Sequence, residues 1–257
     1  MDERLLSFAR LLDVMDQIRA NCPWDKIQTI ESLRHLTIEE TYELSEAILN
    51  ENMDEVKKEL GDLMLHIVFY SKIASEKGAF DIVGVLNGIS DKLIRRHPHV
   101  FGSEKAADSH EVSENWEKIK LQKEGVRSVL AGVPNGLPAL LKAYRMQQKA
   151  AGVGFEWAKP EEAWKKVVEE KNELFSEIEK GDSDVDKEAE FGDLLFALIN
   201  YARFIDVNPE NALENTNKKF KRRFMYIEEQ ARQKGTAIQN LSLQKMMALW
   251  TEAKNKE

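Results

Sequence analysis

The sequence predicts an all-α fold built from two tandem-duplicated helical domains, each resembling a four-helix bundle. Three observations carry that prediction. Apolar residues recur at helical spacing along nearly the whole chain, with no convincing run of alternating strand residues. Helix breakers are scarce: 13 Gly and 6 Pro among 257 residues fall below the usual shares of about 7% and 5%. The chemical features of the first half also recur, in the same order, in the second.

Periodicity alone places the first two helices at about 3–20 and 29–50. Asp54 is a suitable N-cap for a third at about 54–77, and Asp81 for a fourth at about 81–97, which Pro98 stops. A fifth is expected at about 110–124 and a sixth at about 138–151. Between them lies Gly132-Val133-Pro134-Asn135-Gly136-Leu137-Pro138, the best linker candidate. It divides the chain into expected domains 1–130 and 131–257. Pro160 suits the first turn of a seventh helix, about 160–180, and an eighth follows at about 184–206. Asn208 caps and Pro209 opens a ninth, about 209–233, and a tenth runs over about 242–255.

The repeat is specific. Glu39-Glu40-Thr41-Tyr42-Glu43 returns as Glu169-Glu170-Lys171-Asn172-Glu173. Glu59-Leu60-Gly61-Asp62-Leu63 returns as Glu190-Phe191-Gly192-Asp193-Leu194, each followed by an apolar stretch. Lys92 and Arg96 correspond to Lys219 and Arg223, and Trp116 and Lys120 to Trp250 and Lys254.

Glu40 and Glu43 are three apart and share a helix face, as do Glu59 and Asp62 on the next helix. A tight hairpin through Asn50, Glu51 and Asn52 would bring the four carboxylates together, and Glu170, Glu173, Glu190 and Asp193 would converge in the same way. Even on an exposed helix a like-charge pair at this spacing costs roughly 0.2–0.5 kcal/mol. Removal from water raises that cost, and a divalent cation removes it. All-oxygen ligands favour Mg²⁺, Mn²⁺ or Ca²⁺ over zinc, and Mg²⁺ keeps positions open for water and phosphates. A ferritin-like di-iron site needs Glu-x-x-His on two helices, a motif this sequence lacks. His66, four residues after Asp62, reads as a packed histidine.

Composition narrows the function further. Hydrophobic residues make up 42% and charged residues 32%, with a net charge of −8, which argues against direct nucleic-acid binding. No apolar run approaches the roughly 18 residues of a membrane span. The single cysteine, Cys22, has no intrachain partner, which suits a reducing cytoplasm. It has no activating context and no counterpart in the second half, so it is a poor nucleophile candidate. Lys219 and Arg223 sit one turn apart beside Lys218, Lys221 and Arg222, either as phosphate partners or as a solvated basic face. Trp250, one turn before Lys254, could stack on a nucleobase or pack in a core. Trp24 and Trp157, ahead of the first acidic helix of each half, could be hydrophobic anchors.

Taken together, Glu-Glu-x-x-Glu followed by Glu-x-x-Asp resembles the signature of the all-α nucleoside triphosphate pyrophosphohydrolases, and of the MazG family in particular. Cys22-Pro23-Trp24-Asp25, Arg96-His97-Pro98-His99-Val100-Phe101, Gly132-Val133-Pro134 and Lys219-Phe220-Lys221-Arg222-Arg223-Phe224 extend the likeness over almost the whole chain. The resemblance implies hydrolysis of nucleoside triphosphates to a monophosphate and pyrophosphate, dependence on Mg²⁺, and a homodimer of all-helical subunits. It implies that Glu170, Glu173, Glu190 and Asp193 hold Mg²⁺, with Glu169 orienting or deprotonating water or standing behind the ligands. It further implies that Lys219, Arg223, Trp250 and Lys254 bind nucleotide. The first half keeps Glu39, Glu40, Glu43, Glu59 and Asp62 with Lys92, Arg96, Trp116 and Lys120 as a second candidate site. Its basic segment is interrupted at His97-Pro98-His99, so the second half is expected to be the main catalyst. The competing expectation is a non-catalytic helical dimer that senses nucleotides.

Overall fold

The computed structural model describes residues 2–102, 128–180 and 184–257. Two compact units divide it, Met1–Ala107 and Asp108–Glu257, and all regular structure among the described residues is helical. No helix among them is long and apolar enough to cross a membrane.

Unit 1 contains α1 (Glu3–Asn21), α2 (Pro23–Lys26), α3 (Ile30–Leu49), α4 (Met53–Glu76), α5 (Ile82–Arg96) and α6 (Pro98–Phe101). Thr29 and Ser32 form a reciprocal capping box that starts α3. The turn into α4 runs through Glu51 in the left-handed region, φ 54°. Asn52, rather than the expected Asp54, caps α4, its side chain accepting from the Glu55 amide at 3.3 Å. Asp54 falls inside the first turn, where a negative charge still complements the helix dipole. Asp81 caps α5 as expected, accepting from the Gly84 amide at 2.8 Å. The antiparallel α3–α4 pair buries Leu33 against Val68, Phe69 and Ile73, and α1 closes this core with Met15. Arg19 of α1 ties the ends together through Glu76 at 2.9 Å and the Asp25 and Gln28 carbonyls.

His66 is a packed histidine, as its sequence context suggested. It is buried, with Nδ1 2.8 Å from the Thr37 hydroxyl, which also meets the Tyr70 hydroxyl at 2.5 Å. Burial pushes its pKa below the ordinary value, against the opposing charge of Asp62. Below the unfolded histidine value of about 6.5, the unfolded chain takes up a proton that the folded chain resists. Stability should therefore fall as pH drops through that region. Melting curves between about pH 7.5 and 5.5 should slope less in His66→Gln than in the parent, and equal slopes would contradict this account.

Unit 2 contains α7 (Ala139–Ala151), α8 (Pro160–Lys180), α9 (Asp184–Phe204), α10 (Pro209–Gln233) and α11 (Leu243–Asn255). A short 3₁₀ turn at Val129–Gly132 precedes α7, and another at Ile238–Asn240 lies between α10 and α11. Asn208 caps α10 on the Asn211 amide at 3.1 Å, with Pro209 in the first turn. α8 and α9 pack along one another, α10 lies on α11, and α7 touches both α9 and α10. The buried apolar residues of this unit are mostly alanines, including Ala163, Ala197, Ala202, Ala231 and Ala253. Small side chains let helices approach closely, but they leave Phe191, Leu195, Phe196 and Leu198 of α9 exposed. The helix expected at 110–124 lies outside the described residues.

Candidate metal and phosphate site

The α8–α9 pairing decides the geometry of unit 2. Helical spacing sets Glu169, Glu170 and Glu173 on adjoining turns of α8, while Glu190 and Asp193 face them from α9. Carboxylate oxygens of Glu170, Glu190 and Asp193 lie within 4.8 Å of one another, as do those of Glu169, Glu170 and Glu173. Glu170, only 7% exposed, belongs to both groups. Partial desolvation, with the carboxyl and charge of Glu170, pushes Glu173 upward from the ordinary carboxylate range.

Two features test whether these residues suit a metal. The donors are all carboxylate oxygens, the ligand type that hard divalent cations take. Glu190 Oε2 is buried without a hydrogen-bond partner among the described residues. A buried carboxylate oxygen left unsatisfied is costly unless a cation or donor meets it. The acidic clusters fit a divalent cation on both counts.

Lys166, not anticipated from the sequence, reaches into the same cluster. Its ammonium donates to Glu169 Oε1 at 2.7 Å and stands 2.7 Å from Glu170 Oε1. The two carboxylates hold that lysine strongly protonated. Its spacing three and four residues before the acids was a readable signal.

Unit 1 repeats the arrangement with differences. Glu40 of α3 meets Glu59 and Asp62 of α4 within the same 4.8 Å, but Glu39 and Glu43 stand outside that set. Glu59 is 3% exposed and its Oε2 has no partner among the described residues. Burial, then the charges of Asp62, Glu43 and Glu59, push Glu40 upward. The neutralising lysine is Lys58 of α4, 2.9 Å from Glu59, whereas Leu36 occupies the place of Lys166.

The basic and aromatic candidates of unit 2 lie on α10 and α11. The Arg223 guanidinium sits 5.4 Å from the Trp250 ring centre, and Trp250 packs against Phe220 at 5.3 Å. Arg223 also donates to Glu257 at 2.6 Å, and Arg222 donates to the same carboxylate at 2.9 Å. Those guanidiniums hold Glu257 down to about 2. The structure thus joins Arg223 to Trp250, while Lys219 and Lys254 are exposed. In unit 1, Lys92 and Arg96 lie on α5, and Trp116 and Lys120 lie outside the described residues. Trp24 and Trp157 are each about half exposed, more than an anchor role requires.

Residues 28–101 and 158–226 each match the MazG nucleotide pyrophosphohydrolase domain. The chain belongs to the MazG family. Both MazG matches span an acidic helix pair, α3–α4 in one and α8–α9 in the other. The nucleoside triphosphate pyrophosphohydrolase of Escherichia coli K12 is 41% identical over 255 residues, covering 96% of this chain and 97% of its own. The Thermotoga maritima nucleoside triphosphate pyrophosphohydrolase/pyrophosphatase MazG is 43% identical over 259 residues, covering 99% and 98%. The YabN protein of Bacillus subtilis is 45% identical over 262 residues, covering all of this chain and 54% of its own.

Proposed function

We propose that this MazG-family chain hydrolyses nucleoside triphosphates to a nucleoside monophosphate and pyrophosphate, using Mg²⁺, with Mn²⁺ as a substitute. The observation that carries the reading is the pair of acidic clusters containing buried, unsatisfied carboxylate oxygens at Glu190 and Glu59. The names of the Escherichia coli and Thermotoga maritima relatives support the reaction class. Division into functional domains 1–130 and 131–257, with the second as main catalyst, completes the proposal.

Glu170, Glu173, Glu190 and Asp193 would hold the cation in unit 2, and Glu40, Glu43, Glu59 and Asp62 in unit 1. Bound there, the cation would offset carboxylate charge, polarise phosphoryl oxygens and acidify water. Glu169 would orient or deprotonate the water that attacks the α-phosphorus, or stand behind the ligands. Lys219, Arg223 and Lys254 would balance the triphosphate charge, Arg223 through its forked donors, while Trp250 offers a stacking face. Glu257, now on Arg223, would yield that guanidinium to a phosphate. Lys166 would leave the carboxylates once a cation neutralises them and turn its ammonium toward substrate phosphate. Lys92 and Arg96, with Trp116 and Lys120, are the corresponding proposal for the first half.

Pyrophosphate release should stop on chelation and return with Mg²⁺. In isotope-labelled water the label should enter the monophosphate, and label in pyrophosphate would overturn attack at the α-phosphorus. Tight nucleotide binding without release would instead favour a sensor. We also propose a homodimer, because Phe191, Leu195 and Leu198 are left uncovered on α9. Light scattering at micromolar concentration should give twice the chain mass, and a monomer mass would contradict it.

A further inference from the structure

Unit 2 contains a cavity of about 520 Å³ between α7, the segment after it and the C-terminal half of α9. That size is within the roughly 300–1,000 Å³ of small-molecule sites. Its walls include Trp157 and Phe196, each with about half of its surface exposed, and four polar residues, Gln147, Glu156, Asn200 and Arg203.

The internal repeat makes the cavity informative. Seven residues beyond Asp62, unit 1 has Phe69, which is 4% exposed and part of its core. Seven residues beyond Asp193, unit 2 has Asn200. An apolar ring that fills space in one copy is replaced in the other by a small amide beside open volume. The lining is mainly apolar, but Gln147, Glu156, Asn200 and Arg203 are set into it, which distinguishes it from a purely apolar void. Gln147 is 6% exposed; its Nε2 donates to the Phe196 carbonyl at 2.8 Å, and its Oε1 is buried without a partner among the described residues. Such an acceptor is costly until a donor reaches it. Arg203 donates to Asn200 at 2.9 Å and to Glu156 at 2.7 Å, so its charge in the wall is matched by an anion.

We propose that this cavity binds a nucleobase. Flat apolar walls favour stacking of a planar ring. Amide side chains match the donor and acceptor edges of a base. The paired charge of Arg203 and Glu156 suits a neutral group rather than a phosphate. Two sources carry this chemistry. One is the base of a nucleotide whose phosphates lie at the acidic cluster, since Phe196 and Asn200 continue along α9 from Asp193; this source rests on the proposed hydrolase reading and takes the base-stacking role from Trp250. The other is a free nucleoside bound as an effector.

The test uses the full chain without metal, titrated separately with adenosine, guanosine, cytidine and uridine, and read by calorimetry and tryptophan fluorescence. No turnover is needed, so its failure is distinguishable from failure of the hydrolase reading. At least one nucleoside should bind saturably. Asn200→Phe, which installs the residue of unit 1, and Gln147→Leu should each weaken that binding at least tenfold. Adding a non-hydrolysable nucleoside triphosphate with Mg²⁺ separates the sources: displacement assigns the cavity to the substrate base, and simultaneous binding assigns it to an effector. No saturable binding of any of the four overturns the proposal. So does binding that survives both variants but is lost in Trp250→Ala.

Discussion

Asp193→Asn is expected to lower pyrophosphate release at least about a hundredfold, because a cation that stabilises transition-state charge is worth several kcal/mol. The change keeps the side-chain volume and removes one anionic ligand from the Glu170–Glu190–Asp193 group. Glu173→Gln should act in the same direction, since Glu173 joins the group that shares Glu170. Neither should unfold the protein. Both relieve repulsion among carboxylates, so the metal-free melting temperature should hold or rise. The matching unit 1 changes, Glu43→Gln and Asp62→Asn, should cost less if unit 2 is the main catalyst. Release rates and melting curves for the four variants decide between the halves. Equal losses would assign two working sites, and a larger loss from the unit 1 pair would reverse the assignment.

Much of this arrangement is legible in the sequence for a physical reason. Helix spacing is rigid, so Glu40, Glu59 and Asp62 could be placed together from their registers and a short Asn50–Asn52 turn, and the structure brings them within 4.8 Å. Glu43 falls outside that set, although its charge still acts on Glu40. Cap choice was less legible: Asn52 and Asp54 are both good cap residues, and only the backbone of the turn selects Asn52. Contacts between distant segments were hidden. Nothing in the spacing of Arg222 and Arg223 announced Glu257. The cavity beside Asn200 depends on how α7 and α9 pack, which the spacing along either helix does not give. Lys166 lies outside the internal repeat, because its counterpart, Leu36, is apolar, and only its i,i+3 and i,i+4 spacing to Glu169 and Glu170 marks it.

Lys166→Leu, which copies that counterpart, is expected to raise KM for nucleoside triphosphates roughly tenfold, the equivalent of about 1.4 kcal/mol, with a smaller effect on kcat. Before substrate arrives, the ammonium lies on Glu169 and Glu170 and offsets their repulsion. A divalent cation in the cluster supplies that charge instead and repels the lysine. Its flexible stem then allows the ammonium to follow substrate phosphate. Loss of the lysine has two opposed consequences. Without metal, the carboxylates lose their counter-ion, and the melting temperature should fall. With metal, a competing positive charge is gone, so half-maximal activity should require less Mg²⁺ and the melting temperature should rise more on Mg²⁺ addition. A lysine that only braces α8 would lower stability without moving KM or the Mg²⁺ requirement. The converse change, Leu36→Lys, disturbs the unit 1 core against which Leu36 packs, so a weakened cation response of unit 1 is read relative to that variant's own metal-free melting temperature. A pair of variants with unaltered KM and unaltered Mg²⁺ dependence would remove Lys166 from the site and leave it a structural role, through its pair with exposed Glu169, about 0.3–0.5 kcal/mol, and its pair with buried Glu170.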